Sequence, residues 1–291
     1  MTENRIIGIT GGLYTVETPT GTLYSKSRGV FRKNGIKPVT GDYVRLQLED
    51  NTEPVISEVM ERKNEIVRPP LANIDIAVLV VSSCEPKPNL FILDKLTAIF
   101  ENKRIEPVYV FTKIDRAEAE EYAAIYSAVG YKTFSVDNIG GVGFEPLTEY
   151  LTGKTSALIG NTGVGKSSLM NHIVPEAEHK TSEISRKLGR GRHTTREVRL
   201  YKTGSSTYIA DTPGFSTVEV SRYGAIPSGE VAGCFREFSL YTDKCRFKDC
   251  AHVKEDSCGV REAVKAGLIA ESRHESYCKI YDESVKKENE Y

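Results

Sequence analysis

The first 66 residues consist of short runs in which hydrophobic and polar side chains alternate. Val44, Leu46 and Leu48, for example, alternate with more polar neighbours, which is the period of a half-buried β-strand. About four or five such strands within so few residues predict a small β-barrel. Turn-forming residues separate the runs at positions 11–12, 19–21, 34–35 and 40–42.

A different pattern begins after Arg68-Pro69-Pro70, which can continue neither a helix nor a central strand and which we interpret as a domain junction. Beyond it, hydrophobic runs of strand length alternate with stretches of helical periodicity. This alternation predicts an α/β domain with a mostly parallel sheet and helices on both faces. Strands are predicted at 76–83, 107–115, 131–136, 156–159, 198–201 and 207–210, the last two as a hairpin, and helices at 91–100, 117–129, 144–151 and 167–173.

Helical periodicity and a higher density of Cys mark the chain from about residue 225 onward. Val260, Ala263 and Val264 share one helical face, and Tyr277, Ile280 and Tyr281 share another. We therefore predict three domains: a β-barrel at 1–67, an α/β domain at 68–222 and a mainly helical domain at 223–291.

Composition limits the classes of protein to which this chain can belong. The 291 residues carry 39 Lys and Arg against 40 Asp and Glu, so the net charge is −1 and any contact with nucleic acid must use local basic patches. The sequence shows neither a run of the ~20 apolar residues that a membrane helix needs nor a signal peptide, so we expect a cytoplasmic protein without membrane contact. The six Cys should then be thiols or metal ligands. Basic residues near the barrel turns form either a nucleic-acid face or an ordinary solvated surface: Arg28, Arg32, Lys33 and Lys37.

A glycine-rich segment, the phosphate loop, carries the first chemical signal. Residues 160–167 match G-x-x-x-x-G-K-[ST], in which backbone N–H groups surround phosphate oxygens. Lys166 supplies a positive charge to the β- and γ-phosphates, Ser167 supplies a hydroxyl to Mg²⁺, and the helix that begins here adds its positive dipole end. The predicted phosphate-binding residues are Gly160, Asn161, Thr162, Gly163, Val164, Gly165, Lys166, Ser167 and Ser168.

The segment Asp211-Thr212-Pro213-Gly214 follows the strand predicted at 207–210. An Asp at the C-terminal end of a strand can reach Mg²⁺ through a water molecule, and the backbone N–H of Gly214 can sense a γ-phosphate. Because the segment follows a phosphate loop at a suitable distance, we assign Asp211 and Gly214 to a nucleotide site.

The segment 112–115, at the C-terminal end of another buried strand, is interpreted as a base-reading segment. A carboxylate accepts two hydrogen bonds, and guanine offers N1–H and N2–H₂ on one edge, whereas adenine has no matching pair. Asp115 therefore favours GTP over ATP, and Lys113 can pack along the base and the loop. The predicted base-binding residues are Thr112, Lys113, Ile114 and Asp115.

The order of these motifs is unusual, because in an ordinary GTPase the phosphate loop comes before the base-reading segment. Here Lys113 and Asp115 precede Gly160. A sheet tolerates such rewiring when the original termini lie close together and the break falls in a surface loop. Residues 1–220 therefore fit a circularly permuted GTPase behind a small β-barrel.

A basic stretch at 180–199, the switch segment, lies between the helix of the phosphate loop and the strand before Asp211. It holds seven basic residues against two acidic ones, a net charge of +5. This charge indicates either docking onto RNA phosphates or a solvated loop. Thr194 and Thr195 can each offer the hydroxyl that completes the coordination of Mg²⁺, and we prefer Thr195.

The position that holds a water-orienting Gln in many GTPases is Phe215 here, which cannot orient water. Intrinsic hydrolysis should therefore be slow, and a partner or another residue must position the water. His193 in the switch segment is the candidate, with contact to RNA as the alternative. Together with Lys166 and Thr195 it forms the predicted catalytic set.

Three thiols and one imidazole lie within fourteen residues in the pattern C-x4-C-x-H-x5-C. A tetrahedral Cys₃His set is a closed structural zinc site with no position left for water, so we expect no catalysis there. The other cysteines, Cys84, Cys234 and Cys278, fit no ligand spacing and are expected in the core. The predicted zinc ligands are Cys245, Cys250, His252 and Cys258.

With these motifs in this order, the chain resembles the ribosome small-subunit-dependent GTPase A (RsgA) family over nearly its whole length. The resemblance implies an OB-fold N-terminus, binding to the small ribosomal subunit and its rRNA late in maturation, and stimulation of the GTPase by the ribosome. It also places His193 in the suspected catalytic position of the first switch. The motifs that carry it are T-K-I-D at 112–115, G-N-T-G-V-G-K-S-S at 160–168, G-R-H-T-T at 191–195, D-T-P-G-F at 211–215 and C-x4-C-x-H-x5-C at 245–258.

Two functional hypotheses of different classes follow. In the first, the protein is an enzyme that hydrolyses GTP to GDP and phosphate with Mg²⁺, carries one structural Zn²⁺, and uses turnover to time its release from a maturing small subunit. In the second, it is an RNA-docking assembly factor in which GTP binding sets only conformation. A P-loop ATPase or kinase would require ATP to compete with GTP. No dimerisation element is indicated, and we expect a monomer.

Overall fold

Two units are distinguished in the computed structural model, which describes residues 4–27, 31, 36–47, 54–174, 198–212 and 223–290. The first unit takes its residues from the ranges 1–78, 141–159 and 166–214, and the second from 79–140, 160–165 and 215–291. Segments that are far apart in sequence therefore meet within each unit.

The elements of the described residues are numbered in chain order. The strands are β1 (Asn4–Thr10), β2 (Leu13–Thr18), β3 (Gly21–Ser27), β4 (Tyr43–Gln47), β5 (Val55–Val59), β6 (Glu65–Ile66), β7 (Leu71–Ala72), β8 (Ile76–Ser82), β9 (Glu106–Thr112), β10 (Lys132–Val136), β11 (Thr155–Ile159), β12 (Arg199–Lys202) and β13 (Tyr208–Asp211). The α-helices are α1 (Leu90–Asn102), α2 (Glu120–Ala128), α3 (Phe144–Leu151), α4 (Lys166–Ile173), α5 (Ser228–Val231), α6 (Gly259–Lys265) and α7 (Glu271–Asn289). Short 3₁₀ turns occupy 232–234, 236–240 and 242–244.

A five-stranded barrel forms the N-terminal part of the first unit, as the sequence predicts. β1, β2 and β3 form an antiparallel meander. The barrel closes because β4 pairs with both β1 and β5, and β5 pairs in parallel with β3. Its interior is filled by alternate side chains of these strands, among them Ile6, Val16, Val44 and Ile56. The period-2 pattern therefore reports the face that packs inward.

The first unit also contains β11, β13 and β12, which lie side by side. β11 and β13 are parallel, whereas β12 and β13 form the predicted hairpin. β12 also pairs with β1 of the barrel, where Gly8 opposes Arg199. The buried guanidinium of Arg5 on β1 donates to Oγ1 of Thr155 on β11 at 2.9 Å. The barrel and the strands next to it thus share one continuous sheet.

In the second unit, β9 lies between β10 and the last four residues of β8, and β9 and β10 are parallel. Val80 and Val110 are fully or almost fully buried, as expected for strands of a parallel sheet. α1 follows β8 and α2 follows β9. The side chain of Asn89 caps α1 by accepting a hydrogen bond from the N–H of Ile92 at 3.2 Å.

The C-terminal part of the second unit is helical and has an aromatic core. Phe235, Phe238 and Tyr277 are buried, and the rings of Phe238 and Tyr277 meet edge to face with centroids 4.8 Å apart. On the predicted helical faces, Val260, Ala263, Tyr277 and Ile280 are buried. Val264 and Tyr281, at the edges of these faces, are only half-buried.

Most predicted elements lie within one or two residues of the observed ones, and two differ. β9 ends at Thr112 instead of continuing to 115, because Lys113 has a φ of 60°, in the left-handed region. α2 begins at Glu120 instead of 117, because the backbone of Ala119 is not helical, with φ of −112° and ψ of 1°. The carbonyl of Ala119 accepts from the N–H of Ala123. None of the described helices is long and apolar enough to cross a membrane.

Candidate nucleotide and metal sites

Lys113 joins the base-reading segment to the phosphate loop within the second unit. Its Nζ donates to the carbonyl oxygen of Gly163 at 2.8 Å and also to that of Glu85. The carbonyl of Lys113 itself accepts from Oγ of Ser83 at 2.8 Å. Two segments about 50 residues apart in the chain are thus held together by a side chain that the motif itself supplies.

Two further side chains fix the phosphate loop. Thr112 is fully buried, and its Oγ1 donates to the carbonyl of Val164 at 2.6 Å, so its hydroxyl faces the protein. Asn138, which follows β10, donates from Nδ2 to the carbonyl of Gly165 at 3.4 Å. Asn138 is not among the predicted site residues. A hydrogen bond to a backbone carbonyl requires no particular residue at the acceptor position, so no sequence motif indicates this contact. The only feature of the sequence that could have indicated Asn138 is its position just after β10, the strand next to β9.

Close packing explains the glycines of the phosphate loop. A Cβ on Gly160 would lie 2.6 Å from the carbonyl oxygen of Val80, and one on Gly165 would lie 2.7 Å from Nδ2 of Asn138. Gly163 and Gly165 have φ angles of 82° and 98°, in the region that favours glycine. A side chain at Gly160 therefore requires the backbone itself to move.

Replacing Gly160 with Ala is expected to weaken binding of a fluorescent GDP analogue by about tenfold, because overpacking of this kind costs about 1–3 kcal/mol. The measurement is an equilibrium titration. Gly229→Ala is the matched control, since an added Cβ there has nothing within 4 Å, and it should bind like the parent. Unchanged affinity in Gly160→Ala would show that binding does not depend on the contact with Val80.

Asp115 lies at the solvent-facing end of the base-reading segment. Its side chain is 27% exposed, and its Oδ2 lies 3.6 Å from Nε of Arg116. The carboxylate belongs to the same turn as Lys113, whose Nζ bonds the phosphate loop. The second unit therefore presents an accessible carboxylate on a turn that is fixed to the loop.

In the first unit, Lys166 at the start of α4 and Asp211 at the end of β13 carry opposite charges that attract each other. Burial lowers the pKa of Lys166 to about 8, and Asp211 opposes this shift. Burial likewise raises the pKa of Asp211, and Lys166 opposes it. Ser167 and Ser168 follow on the exposed first turn of α4. A buried ammonium interacts more strongly with a phosphate than an exposed one does, because the local dielectric constant is lower.

Three residues predicted for the nucleotide site lie outside the described residues: His193, Thr195 and Gly214. Phe215 also lies there. The roles of these residues stay predictions. The same holds for the roles of the nucleotide-site residues that the structure does describe.

The four residues of the Cys₃His cluster come together as their spacing predicts. Their ligand atoms all lie within 4.8 Å of one another. Nδ1 of His252 is 3.5 Å from Sγ of Cys245 and 3.3 Å from Sγ of Cys258, and the two Sγ atoms are 3.9 Å apart. These separations match the edges of about 3.5–3.8 Å that a zinc tetrahedron has with Zn–S of about 2.3 Å and Zn–N of about 2.0 Å. The cluster can therefore hold a metal ion.

The backbone around the Cys₃His cluster is fixed by neighbouring groups. Glu255 accepts hydrogen bonds from the backbone N–H groups of Ala251, Val253 and Lys254 at 2.9–3.0 Å. Burial opposes its ionisation, but these donors hold the pKa of the Glu255 carboxyl below its ordinary value. Burial also lowers the pKa of His252, which favours the neutral imidazole that a metal requires.

Gly259 is required next to the cluster. Its N–H donates to Sγ of Cys245 at 3.3 Å, and a Cβ on it would lie 2.2 Å from the carbonyl oxygen of Tyr241. The three remaining cysteines differ in burial. Cys234 is buried as predicted, whereas Cys84 and Cys278 are only half-buried.

The order of the motifs and the fold define a class of protein, a circularly permuted GTPase with an N-terminal barrel and a Cys₃His cluster near the C-terminus. Residues 59–221 match the family described as RsgA GTPase, and residues 3–56 match the RsgA N-terminal domain. The chain therefore belongs to the RsgA family, and it is a GTP-hydrolysing enzyme.

Curated relatives cover the whole chain. The small ribosomal subunit biogenesis GTPase RsgA of Caldanaerobacter subterraneus subsp. tengcongensis is 41% identical over 289 residues, which is 98% of this chain and 97% of the relative. The protein of the same name from Geobacillus sp. (strain WCH70) is 39% identical over 297 residues and is covered completely, as is this chain.

Solved structures confirm the predicted fold class. YjeQ from Thermotoga maritima superposes with a TM-score of 0.81 at 35% identity and covers 98% of both chains. YloQ, described as a circularly permuted GTPase, has a TM-score of 0.78 at 31% identity over 99% of this chain and 96% of its own.

Proposed function

We propose that this GTPase binds the small ribosomal subunit and its rRNA, acts in the late maturation of that subunit, and turns over faster on the ribosome. Its membership of the RsgA family and the names of its relatives support this. The observation that carries the nucleotide part is the bond from Lys113 to Gly163, because it ties the base-reading segment to the phosphate loop. The protein acts as a monomer in the cytoplasm.

In this proposal, GTP and GDP are held by the residues assigned from the sequence. The Asp115 carboxylate accepts from N1–H and N2–H₂ of guanine, and residues 112–114 support it. The phosphates lie against residues 160–168, with Lys166 supplying charge. Asp211 acts on Mg²⁺ through a water molecule, and Gly214 donates its N–H to the γ-phosphate.

Ser167 and Thr195 are proposed as the hydroxyl ligands of Mg²⁺. When bound there, Mg²⁺ would supply positive charge that offsets the negative charge developing on the phosphates. Since Phe215 stands where many GTPases have Gln, we assign the positioning of the attacking water to His193. Slow hydrolysis away from the ribosome follows if docking of the switch segment brings His193 into place.

The Cys₃His cluster is proposed to hold one structural Zn²⁺. Three thiolates and a neutral imidazole are the donor set that zinc prefers, and four protein ligands leave no position for a substrate. The observed separations of 3.3–3.9 Å between three pairs of ligand atoms support this assignment.

Exposed basic side chains around the Cys₃His cluster are candidates for contact with rRNA. Phe247 is 47% exposed, and the guanidinium of Arg246 lies over its ring at 5.5 Å. Aromatic and basic groups side by side suit stacking on unpaired bases and contact with phosphates. On the barrel, Lys37 is exposed, and Arg28, Arg32 and Lys33 lie outside the described residues. The exposed basic residues near the cluster are Lys244, Arg246, Lys248 and Lys254.

The domain division is proposed as the sequence suggests, with boundaries at 1–67, 68–222 and 223–291. The last barrel strand ends at Val59, and a turn at 67–70 separates β6 from β7, which supports the first boundary.

The proposal is tested by measuring GTP hydrolysis with and without purified small subunits. We expect strong stimulation in the parent protein and loss of most of it in His193→Ala. Co-sedimentation of the variant with small subunits and a non-hydrolysable GTP analogue separates catalysis from docking: retained binding assigns His193 to hydrolysis, and lost binding assigns it to RNA contact. Absence of stimulation in the parent would favour the assembly factor in which GTP only sets conformation.

A further inference from the structure

The first turns of α7 hold the loop that carries the Cys₃His cluster. Nε2 of His274 donates to the carbonyl of His252 at 2.8 Å, and the hydroxyl of Tyr277 donates to the carbonyl of Ala251. Both carbonyls belong to the segment between the ligands Cys250 and Cys258. The position of α7 and the conformation of this segment therefore depend on each other.

Arg273, next to His274 on α7, enters a buried cluster of charges. It is 1% exposed and donates to Oδ1 of Asp94 on α1 at 2.7 Å. It also donates to both carboxylate oxygens of Glu237, at 2.8 and 3.0 Å. The hydroxyl of Tyr126 donates to Asp94 at 3.1 Å. Separating buried charges leaves each uncompensated, so this cluster strongly restrains α7 relative to α1.

The segment between β8 and α1 continues from this cluster to the base-reading segment. Asp94 lies in the second turn of α1, five residues after its cap Asn89. The same segment contributes Ser83, which donates to the carbonyl of Lys113, and Glu85, whose carbonyl accepts from Nζ of Lys113. The segment before α1 therefore contacts the side chain that holds the phosphate loop.

We propose that the Cys₃His cluster and the base-reading segment are thermodynamically coupled through Arg273 and Asp94, so that a metal in the cluster tightens guanine nucleotide binding. The proposal rests on the function proposed above, because it takes the nucleotide and metal sites from there. Arg273 and Tyr277 are positioning residues, since they act through Asp94 and the cluster loop without contacting nucleotide or metal.

Linkage supplies the first test, because coupling between two binding sites is reciprocal. The affinity for a fluorescent GDP analogue is measured in the zinc-loaded and the chelator-treated full-length protein. The affinity for Zn²⁺ is then measured by chelator competition with and without GDP. We expect GDP affinity to fall by about fivefold or more on removal of zinc, and GDP to raise zinc affinity by the same factor. Two ratios near one would overturn the proposal.

A single hydroxyl supplies the second test, which needs no removal of metal. Zinc-loaded Tyr277→Phe should bind GDP about threefold more weakly than the parent, because one hydrogen bond between α7 and the cluster loop is lost. Tyr281→Phe, one turn further along α7, is the matched control and should bind like the parent. Equal GDP affinity in the two zinc-loaded variants would contradict the proposal.

Replacement of the whole charge cluster supplies the third test. The triple variant Asp94→Leu, Glu237→Met and Arg273→Met keeps apolar bulk where the ions were, an exchange that folded proteins often tolerate. It should bind GDP and zinc. The ratio of its GDP affinity in the zinc-loaded form to that in the chelator-treated form should, however, fall to near one. A ratio as large as in the parent would contradict the route through Arg273. If the triple variant does not fold, the tyrosine pair decides.

The outcomes also separate this inference from the proposed function. A zinc-loaded parent that fails to bind GDP would contradict the nucleotide site itself. A parent that binds GDP equally well with and without zinc would contradict only the coupling.

Discussion

Asp115→Asn will convert a guanine-selective protein into one that prefers xanthine nucleotides. The carboxylate is proposed to accept from two guanine donors, and an amide cannot accept both of these bonds. Hydrogen bonds to charged groups contribute about 1.5–3 kcal/mol each, so GDP affinity should fall by about 100-fold or more. Xanthosine diphosphate gains a partner, because the amide N–H₂ donates to its C2 carbonyl while the amide oxygen accepts from N1–H.

Competition titrations against one fluorescent probe measure both nucleotides in the same variant. Asp243→Asn, an exposed residue of a 3₁₀ turn in the same unit, is the matched control and should retain guanine preference. If Asp115→Asn keeps the guanine selectivity of the parent, Asp115 does not read the base.

Cys258→Ser will abolish tight metal binding and destabilise the C-terminal region of the second unit. Loss of a mere supporting contact lowers metal affinity by about 10–100-fold, so loss of a ligand should exceed that range. Because a structural metal contributes its binding energy to folding, the loop at 245–258 should lose its protection from hydrogen exchange. Metal content and exchange of residues 223–290 are the measurements.

Cys278→Ser is the matched control for this change, since Cys278 is half-buried on α7 and is not a member of the cluster. It should retain one equivalent of zinc and the exchange protection of the parent. A metal-free Cys258→Ser protein with parental protection throughout 223–290 would show that the cluster does not stabilise this region.

The phosphate loop was predictable because its chemistry resides in the backbone, and the backbone path requires glycine at fixed positions. Gly160 and Gly165 illustrate this, since each faces a group less than 3 Å from an added Cβ. The contacts of Ser83 and Asn138 were not predictable. The chain has many hydroxyl and amide side chains, and nothing in the sequence shows which of them bonds a carbonyl far along the chain. Their partners become known only from the fold.

The buried charges around Arg273 mark a second limit. The first four residues of α7 are Glu, Ser, Arg and His, a polar run that is typical of a solvated helix. Arg273 is buried because its partners Asp94 and Glu237 come from remote segments, and hydrophobic periodicity carries no information on such pairs. The parallel pairing of β3 with β5 escaped prediction for a related reason, since alternation reports which face is buried and not which strand is the neighbour.

The pairing between β1 and β12 affects how the protein can be divided. A shortened chain that starts after the barrel would leave β12 as an edge strand, with its unpaired N–H and C=O groups open to solvent. Exposed edges of this kind recruit strands from other molecules. An isolated catalytic fragment should therefore self-associate unless a charged or proline substitution protects that edge.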